Sequence, residues 1–483
     1  MKAVGISEIW LVLISLLGAP PVGITLPNQP EPDLAAEAAR FQAVTGHLDP
    51  GGLVYAYLSV DQDLSVIAEF VKSYMDDLRP LARDVPEINI PEILRVTGLD
   101  AVSALGVSSV RSGDGFRNKT YIHTPNGRRG LLLLLGEKPR PFESLKLAPS
   151  GADFVLEQDL NLKTFYDSMI EAAKVQMGEQ GKTVVQSALK LPPSTPFSRE
   201  KLMADLDTRL TVVIDADPTQ MVEIPKGNGM KVNKFSGAVL IDGLGWIADE
   251  LTKVFEPKQR QGNARKSHFK IIRNANWVGL RVVFAERKQK AMAELGWDTA
   301  IFAHHVPSGK LVLATGKKFA DQLFAVKTGI GQDPEFLKAM KDLPTEGTAL
   351  TYASPVFFSS LRNIFETLIA DMDGDHNKED RFMATTLLDL FLPKNVRCEG
   401  GVTTSTKEGI LTISNSAHSH KTSLTTGLAS PLAIGVFSFM GAVKPRELKV
   451  EEAHAEELDT QEVIRRAEEV LREEKADLES LND

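Results

Sequence analysis

Three stretches of the chain open in the same way, and this repetition constrains the fold more than any other feature. They are GGLVYAYLSVDQDLSVIAEFVKSYMDDL (51–78), GADFVLEQDLNLKTFYDSMIEAAKVQM (151–177) and GTALTYASPVFFSSLRNIFETLIADM (347–372). Each begins at glycine, continues as a short β-type segment, reaches a polar capping residue and then follows the apolar period of a helix. The pattern predicts a unit of one strand and one long amphipathic helix, used three times.

Each predicted helix has one apolar stripe, which we expect to face a core. The stripes are Leu64, Ile67, Val71, Met75 and Leu78 in the first, Leu162, Phe165, Met169 and Ala173 in the second, and Phe357, Leu361, Ile364 and Leu368 in the third. The third helix has the clearest start, because Ser354 is a good N-cap and Pro355 suits the first helical position.

Hairpin patterns follow these openers. Residues 107–124 alternate around a predicted turn at Asp114-Gly115, residues 396–416 turn near Glu408-Gly409, and residues 300–316 turn at Pro307–Gly309. Long helices combined with hairpins predict an α+β fold with antiparallel sheets. Because the spacing of the openers is irregular, we interpret them as duplicated units and not as a solenoid. The predicted units are 51–150, 151–340 and 341–443.

Composition sets the class of protein. A chain of 483 residues with 43% hydrophobic and 25% charged residues is typical of a globular protein with two or three domains. The net charge is −9, and residues 444–483 hold 14 acids and 7 bases, so the rest of the chain is nearly neutral. This balance does not indicate nucleic-acid binding. Cys398 is the only cysteine, which excludes an intrachain disulfide and a zinc site of several thiolates.

The N-terminal residues bear on where the protein is located in the cell. Residues 1–26 contain the apolar run Ile9–Leu17 and resemble a secretory signal peptide. Glu8 and the lack of an adjacent small-x-small cleavage site weaken that interpretation, so a membrane anchor and a buried helix stay open. Residues 27–50 are predicted to be a linker.

Near the C-terminus, residues 422–443 carry no charge. Their apolar part is about a dozen residues long, which favours a buried helix, with a membrane span near 424–443 as the alternative. The acidic tail, 444–483, is predicted to be a polar helix.

One segment resembles a known group of proteins. The stretch GKLVLATGKKFADQLFAVKTGIGQDPEFLKAMKDLPTEGTALTYASP (309–355) contains a strand, a helix, a short helix and an LP…Y step in that order. It resembles a loose family of exported proteins of unknown function from planctomycetes, verrucomicrobia and cyanobacteria. The resemblance covers about a tenth of the chain. It implies export and an α+β architecture, and it implies nothing about chemistry.

The acidic stretch DMDGDHNKED (371–380) invites comparison with a calcium loop. Asp371, Asp373 and Asp375 occupy ligand positions, but His376 stands where glycine is needed and Phe382 where a bidentate acid is needed. We therefore interpret the stretch as a joint between two helices and expect no metal.

Two further groups of side chains are candidate binding sites. The segment 258–277 has no acid and forms a candidate basic patch for an anionic partner, although a solvated loop is the simpler interpretation. Its residues are Lys258, Arg260, Arg265, Lys266, Lys270 and Arg273. His418 and His420 would share one side of a strand and could bind a metal there; solvent-facing residues are the simpler interpretation.

No catalytic or cofactor motif stands out in the sequence, so we expect no cofactor. The predicted function is an exported, non-catalytic envelope protein that acts by binding or scaffolding. A secreted hydrolase whose site assembles only in the fold is one alternative, and a membrane-tethered envelope component is another. The expected partner is an unidentified envelope component or ligand. Membrane association through either apolar segment stays open.

Overall fold

The computed structural model describes residues 33–60, 66, 68–69, 71–73, 89–188, 191, 195–223, 231–260, 269–284, 286–297, 299–370, 378–394 and 397–421. All of them belong to the first of the two units into which the chain divides, Met1–Gly427.

The strands, in chain order, are β1 Val54–Ser59, β2 Ala104–Ser112, β3 Gly115–His123, β4 Arg140–Pro141, β5 Phe154–Asn161, β6 Asp207–Glu223, β7 Lys231–Ile241, β8 Phe269–Arg273, β9 Trp277–Val282, β10 Ile301–His305, β11 Lys310–Ala314, β12 Glu346–Gly347, β13 Ala349–Ala353, β14 Glu399–Ser405 and β15 Gly409–Ser416. Within the described residues, thirteen of them form one sheet in the order β1-β2-β3-β15-β14-β13-β5-β6-β7-β11-β10-β9-β8. Every neighbouring pair is antiparallel. β4 and β12 pair separately.

The α-helices are α1 Leu34–Thr45, α2 Ile90–Thr97, α3 Ser144–Leu147, α4 Leu162–Met177, α5 Glu179–Ala188, α6 Arg199–Ala204, α7 Gly245–Arg260, α8 Glu286–Leu295, α9 Lys317–Phe324, α10 Pro334–Ala339, α11 Pro355–Ala370 and α12 Lys378–Phe391. Short 3₁₀ turns lie at Leu99–Ala101, Gly130–Leu133 and Ile330–Gln332. Helices and an antiparallel sheet together confirm the predicted α+β class.

The three predicted openers have one topology. β1, β5 and β13 each lead into helical residues, and each is followed by two strands that pair as neighbours. In the sheet the resulting triplets are β1-β2-β3, β5-β6-β7 and β13-β14-β15. The pairs β3–β15 and β13–β5 join the triplets into one sheet. The boundaries of separate units therefore stay a prediction.

One face of the sheet is closed, and we call it the sealed face. Its central side chains, among them Val155, Val213, Leu240, Val312 and Leu350, are almost completely buried. They pack against side chains from the 142–152 segment, α9 and α10. This is the main hydrophobic core, and it consists of one sheet face under short helices and loops.

Three local predictions differ from the structure. The β2–β3 turn lies at Gly113-Asp114, where Gly113 has a φ of 58°, and not at Asp114-Gly115. The residues 34–45, predicted as linker, form α1, because Val44 and Leu48 are apolar and bury against the sheet. His418 and His420 are not on a strand, since β15 ends at Ser416.

Several predicted segments lie outside the described residues. They are the 1–26 signal or anchor, most of the 371–380 acidic stretch, the 422–443 apolar segment and the 444–483 tail. In the part of the chain that the structure describes, no helix has the length and hydropathy needed to cross a membrane.

Candidate functional site

A single row of side chains crosses the whole sheet on the face opposite the sealed one. Residues directly paired across antiparallel strands point to the same face, so the register identifies the row. Its thirteen members, one for each strand of the sheet, are Val54, Ser109, Asn118, Ser414, Gly401, Thr351, Leu156, Val212, Val239, Leu313, Phe302, Leu280 and Ile271. The row is polar or glycine from Ser109 to Thr351 and apolar from Leu156 onward.

The two faces of the central strands differ sharply in burial. At the centre of β5 and β6 the sealed-face residues, such as Val155 and Val213, are buried, whereas Leu156 and Val212 on the other face are only half-buried. Thr351 is exposed, and Leu313 is 37% exposed although its strand lies well inside the sheet. This second face is therefore incompletely covered.

We call the incompletely covered region the open face. It consists of Phe154, Leu156, Gln158, Leu210, Val212, Ile214, Gly237, Val239, Ile241, Leu311, Leu313, Ala349, Thr351, Ala353, Gly401, Thr403, Thr412 and Ser414. None of these residues is ionisable, although Glu399 and His304 pair in register with Ala353 and Leu311 on the same face. Leu311, Ala349 and Ala353 are buried, whereas the other members are half-buried or exposed without the charges of an ordinary surface.

The polar end of the open face has hydroxyl groups. The Oγ1 atoms of Thr403 and Thr412 lie 3.0 Å apart and bond each other. The hydroxyls of Thr351 and Ser414 have no hydrogen bond within the described residues and are not enclosed. These two groups are available to donate to, or accept from, a bound molecule.

Long helices cover parts of the open face. The ring of Phe357, in the first turn of α11, stacks on Phe154 at 4.6 Å between centroids. On the other side, Leu244 and Ala248 of the α7 region pack with Leu311.

The second and third helix stripes, predicted to face a core, are only partly buried, and most of the first stripe lies outside the described residues. Leu162, Phe165, Phe357 and Leu361 are half-buried instead of buried, and Leu368 is exposed. The fully buried positions of α4 and α11 lie elsewhere on the helices, at Ser168, Ile170, Arg362 and Ile369. The stripes therefore contribute apolar surface beside an open region and do not close a core.

An acid–histidine pair lies on the same face as the open face. His304 pairs in register with Leu311, and its Nδ1 is 2.9 Å from Oδ2 of Asp249 on α7. The ring lies flat on Gly245, where a Cβ atom would come within 2.1 Å of it. The Nε2 atom makes no hydrogen bond among the described residues and is not enclosed. The arrangement orients an imidazole with one free nitrogen.

The strongest charge cluster lies on the sealed face instead. Arg209 donates to Glu157 at 2.6 Å and to Asp159 at 2.6 Å, and all three side chains are buried. Glu157 also accepts from the backbone N–H groups of Glu143 and Ser144. Because its members are satisfied by each other and by the backbone, this cluster holds the structure together and offers no free group for chemistry.

The structure divides the candidate basic patch between two neighbouring elements. Lys270 and Arg273 are exposed on the edge strand β8, and Lys258 and Arg260 lie in the last turn of α7. Arg265 and Lys266 are outside the described residues. Arg273 also approaches Glu256 at 3.5 Å, which lowers the net positive charge. The patch stays a prediction.

The metal predictions are placed as follows. Asp371, Asp373 and Asp375 are outside the described residues. His420 Nε2 lies 3.2 Å from Thr120 Oγ1, and the Nε2 of His418 is enclosed without a partner. Among the described residues, no three His, Cys, Asp or Glu side chains are grouped in a way that could hold a metal ion.

Comparison with protein-family models, with curated proteins and with solved structures gave no match. The proposed function therefore rests on the geometry of the site.

Proposed function

We propose that the protein is an exported, non-catalytic component of the cell envelope that binds an uncharged ligand on its open face. The observation that carries this proposal is the exposure of Leu313 and Thr351 in the middle of the open face, while the opposite face is sealed. Export is supported by the apolar run Ile9–Leu17 and by the resemblance of residues 309–355 to exported proteins.

Apolar surface left in contact with water forgoes about 25 cal/mol for each Å² that could be buried. A ligand that covers Leu156, Val212, Val239 and Leu313 recovers that free energy at once. Because the sheet is already formed, little ordering of the protein opposes binding. A pre-formed, mostly apolar surface with a few polar groups is typical of binding sites for small molecules.

We further propose that the three β–helix–ββ triplets arose by duplication. Their identical strand order supports this. The spacing of the hairpins and helices differs between triplets, so the proposal concerns topology and not residue-level similarity.

Mass spectrometry of the purified protein under native conditions tests the binding proposal. We expect the wild type to retain a small organic molecule near one equivalent and the variant Leu313→Asp to lose it, because a carboxylate would be desolvated beneath the ligand. Leu337→Asp is the matched control, since Leu337 is 53% exposed on α10, away from this face. Equal retention by both variants would overturn the assignment of the face.

Cell fractionation tests the location. Deletion of residues 1–26 should move the protein from the envelope fraction to the cytoplasm. Recovery of both forms in the cytoplasm contradicts export. If the form without residues 1–26 still requires detergent, the membrane-tethered alternative with a span near 424–443 is favoured.

A secreted hydrolase is the second candidate, favoured by the Asp249–His304 pair. A carboxylate on Nδ1 and a free Nε2 are what a histidine general base needs. An assay with p-nitrophenyl esters should then show hydrolysis that Asp249→Asn and His304→Gln both reduce by at least a hundredfold. If turnover does not exceed that of free imidazole, or neither variant changes it, this candidate is excluded.

A further inference from the structure

We infer that the protein forms a two-fold symmetric dimer through the outer edge of β1, and that the partner is a second copy of this chain. In the dimer, β1 of one copy pairs antiparallel with β1 of the other, so that the sheet continues across the junction. The exposed side of α1 completes the interface. This inference does not depend on ligand binding at the open face.

β1 lies at one end of the thirteen-stranded sheet. Val60 lies opposite Ser103 in the β1–β2 register, and its N–H donates to the Ser103 carbonyl oxygen at 2.9 Å. Bonded and outward-pointing residues alternate along an antiparallel edge strand. The backbone N–H and C=O groups of Tyr55, Tyr57 and Ser59 therefore point away from β2, where another strand can pair with them.

The two edges of the described sheet differ in charge. β8, at the other end, has the exposed side chains of Lys270 and Arg273, and charged residues on an edge strand oppose pairing with another strand. β1 has the sequence VYAYLS, without a charged residue or a proline, and its register with β2 has no shift. The charges that protect β8 against edge pairing are therefore missing from β1.

Exposed apolar side chains are concentrated around this uncharged edge. Of the fourteen large hydrophobic side chains that are exposed among the described residues, five lie on α1, on β1 or directly before β1: Leu34, Phe41, Leu53, Tyr55 and Leu58. The ring of Phe41 meets the ring of Tyr57 edge to face at 5.1 Å, so the apolar surface continues from α1 to β1. An exposed apolar surface that includes aromatic rings is typical of a protein–protein interface.

The charged side chains that contact β1 are already paired. Glu37 accepts from the Tyr57 hydroxyl at 2.8 Å and lies 3.3 Å from Arg40, which donates to Ser59 Oγ at 3.2 Å. The edge therefore favours a partner that brings an uncharged strand with apolar side chains beside it. A second copy of the chain brings both.

Symmetry decides how two copies pair. Pairing of β1 with β8 of the next copy leaves one free edge at each end, which propagates as a filament, and it sets the uncharged β1 against Lys270 and Arg273. Pairing of β1 with β1 uses the uncharged edge of both copies and closes as a dimer. Its two-fold axis is normal to the sheet, so the two α1 helices lie on the same side of the junction. An extended peptide fills the edge but brings no helix to cover Phe41.

Sedimentation equilibrium of the full-length protein tests the inference. We expect a mass of about twice the 52.8 kDa of one chain. Tyr55→Pro removes an outward N–H without removing a bond to β2, and Leu58→Lys places a cation against the strand of the second copy. Each variant should raise the dissociation constant of the dimer at least tenfold.

The controls apply the same changes elsewhere. Arg273→Pro alters the opposite edge at an outward position, since the neighbouring Asn274 N–H donates to Trp277 in β9. Leu337→Lys alters a side chain that is 53% exposed on α10. Both controls should remain dimeric, and circular dichroism checks that every variant is folded. A wild type with the mass of one chain, or a dimer that a folded edge variant retains unweakened, overturns the inference.

Discussion

Arg209 shows at the scale of one residue how the sealed face is held. Its guanidinium is buried between Glu157 and Asp159, and it also donates to the carbonyl oxygens of Pro141 and Gly347. Removing the cation would leave the buried carboxylate of Glu157 without this counter-charge and Asp159 with only the half-exposed Arg140. A buried ion pair that loses one partner is strongly destabilising, whereas a solvent-exposed pair contributes little.

We therefore expect Arg209→Leu to lower the free energy of unfolding by about 3–5 kcal/mol. The control is Arg140→Leu, because Arg140 pairs with the same Asp159 but has a half-exposed side chain. Its loss should lower the free energy of unfolding by less than about 1 kcal/mol. Urea denaturation measures both. Similar losses for the two variants would contradict the assigned role of Arg209.

Buried histidines give a second residue-scale prediction. Burial lowers the pKa of His123, and Arg40 and His47 lower it further by like charge. Burial also lowers the pKa of His47, with Lys119 adding to the effect. His47 stacks on Tyr121, which lies beside His123 in β3, and Nδ1 of His123 has no partner among the described residues.

The sign of the pH dependence follows from these shifts. The unfolded chain has histidine pKa values near 6.5, so below that pH it binds more protons than the folded chain does. Stability is therefore complete above about pH 6.5 and falls as the pH drops toward the folded pKa. Each histidine contributes at most about 1.4 kcal/mol per pH unit.

We expect His123→Gln to flatten the loss of stability between pH 7 and pH 5.5, as measured by urea denaturation at each pH. His305 and His420, whose pKa values burial also lowers, maintain part of the slope. An unchanged slope in the variant would show that His123 is protonated equally in both states.

At the scale of elements, the start of α11 joins helix and sheet. Ser354 Oγ accepts from Phe357 N–H at 3.1 Å and donates to Asp153 at 2.5 Å. Asp153 in turn accepts from Ala216 N–H in β6. One hydroxyl thus caps a helix and satisfies a buried carboxylate.

Ser354→Ala should cost about 1–3 kcal/mol, because it removes an N-cap and leaves a buried acceptor with one partner fewer. Ser198 offers the matched control, since it caps α6 through Lys201 N–H at an exposed site. Thermal melting should show a clearly smaller shift for Ser198→Ala. Equal shifts would mean that the Asp153 contact adds nothing.

The sequence predicted individual helices and strands better than it predicted which strands pair with each other. Periodicity and caps identified the strand–helix openers, Ser354 and the hairpins, because those signals are local. The pairing of β3 with β15 joins residues far apart in the chain, and no local signal encodes it. The open face was missed for a related reason: the apolar run Leu210–Ile214 alternates too little to show that one of its two sides lacks cover.

For the whole molecule, one continuous sheet has a thermodynamic consequence. Strands of all three predicted units are hydrogen-bonded across β3–β15 and β13–β5, so unfolding one unit exposes edges of the next. We expect the body to unfold in a single transition.

Two spectroscopic probes can test whether the body unfolds in a single transition. Three of the four tryptophans, Trp246, Trp277 and Trp297, lie in the middle unit. Tryptophan fluorescence therefore reports mainly that unit, and far-ultraviolet circular dichroism reports the whole chain. Coincident denaturation curves are expected. A separate fluorescence midpoint would show that residues 151–340 are an independent domain.

The position of β15 also has a consequence for biosynthesis. Residues 409–416 fill the slot between β3 and β14, and this strand is the only link within the described sheet between β1-β2-β3 and the rest. A ribosome makes β15 after every other strand of the sheet. During translation β3 and β14 therefore keep bare edges, which bind other chains readily. The nascent polypeptide is therefore most exposed to edge-to-edge association until its last strand emerges.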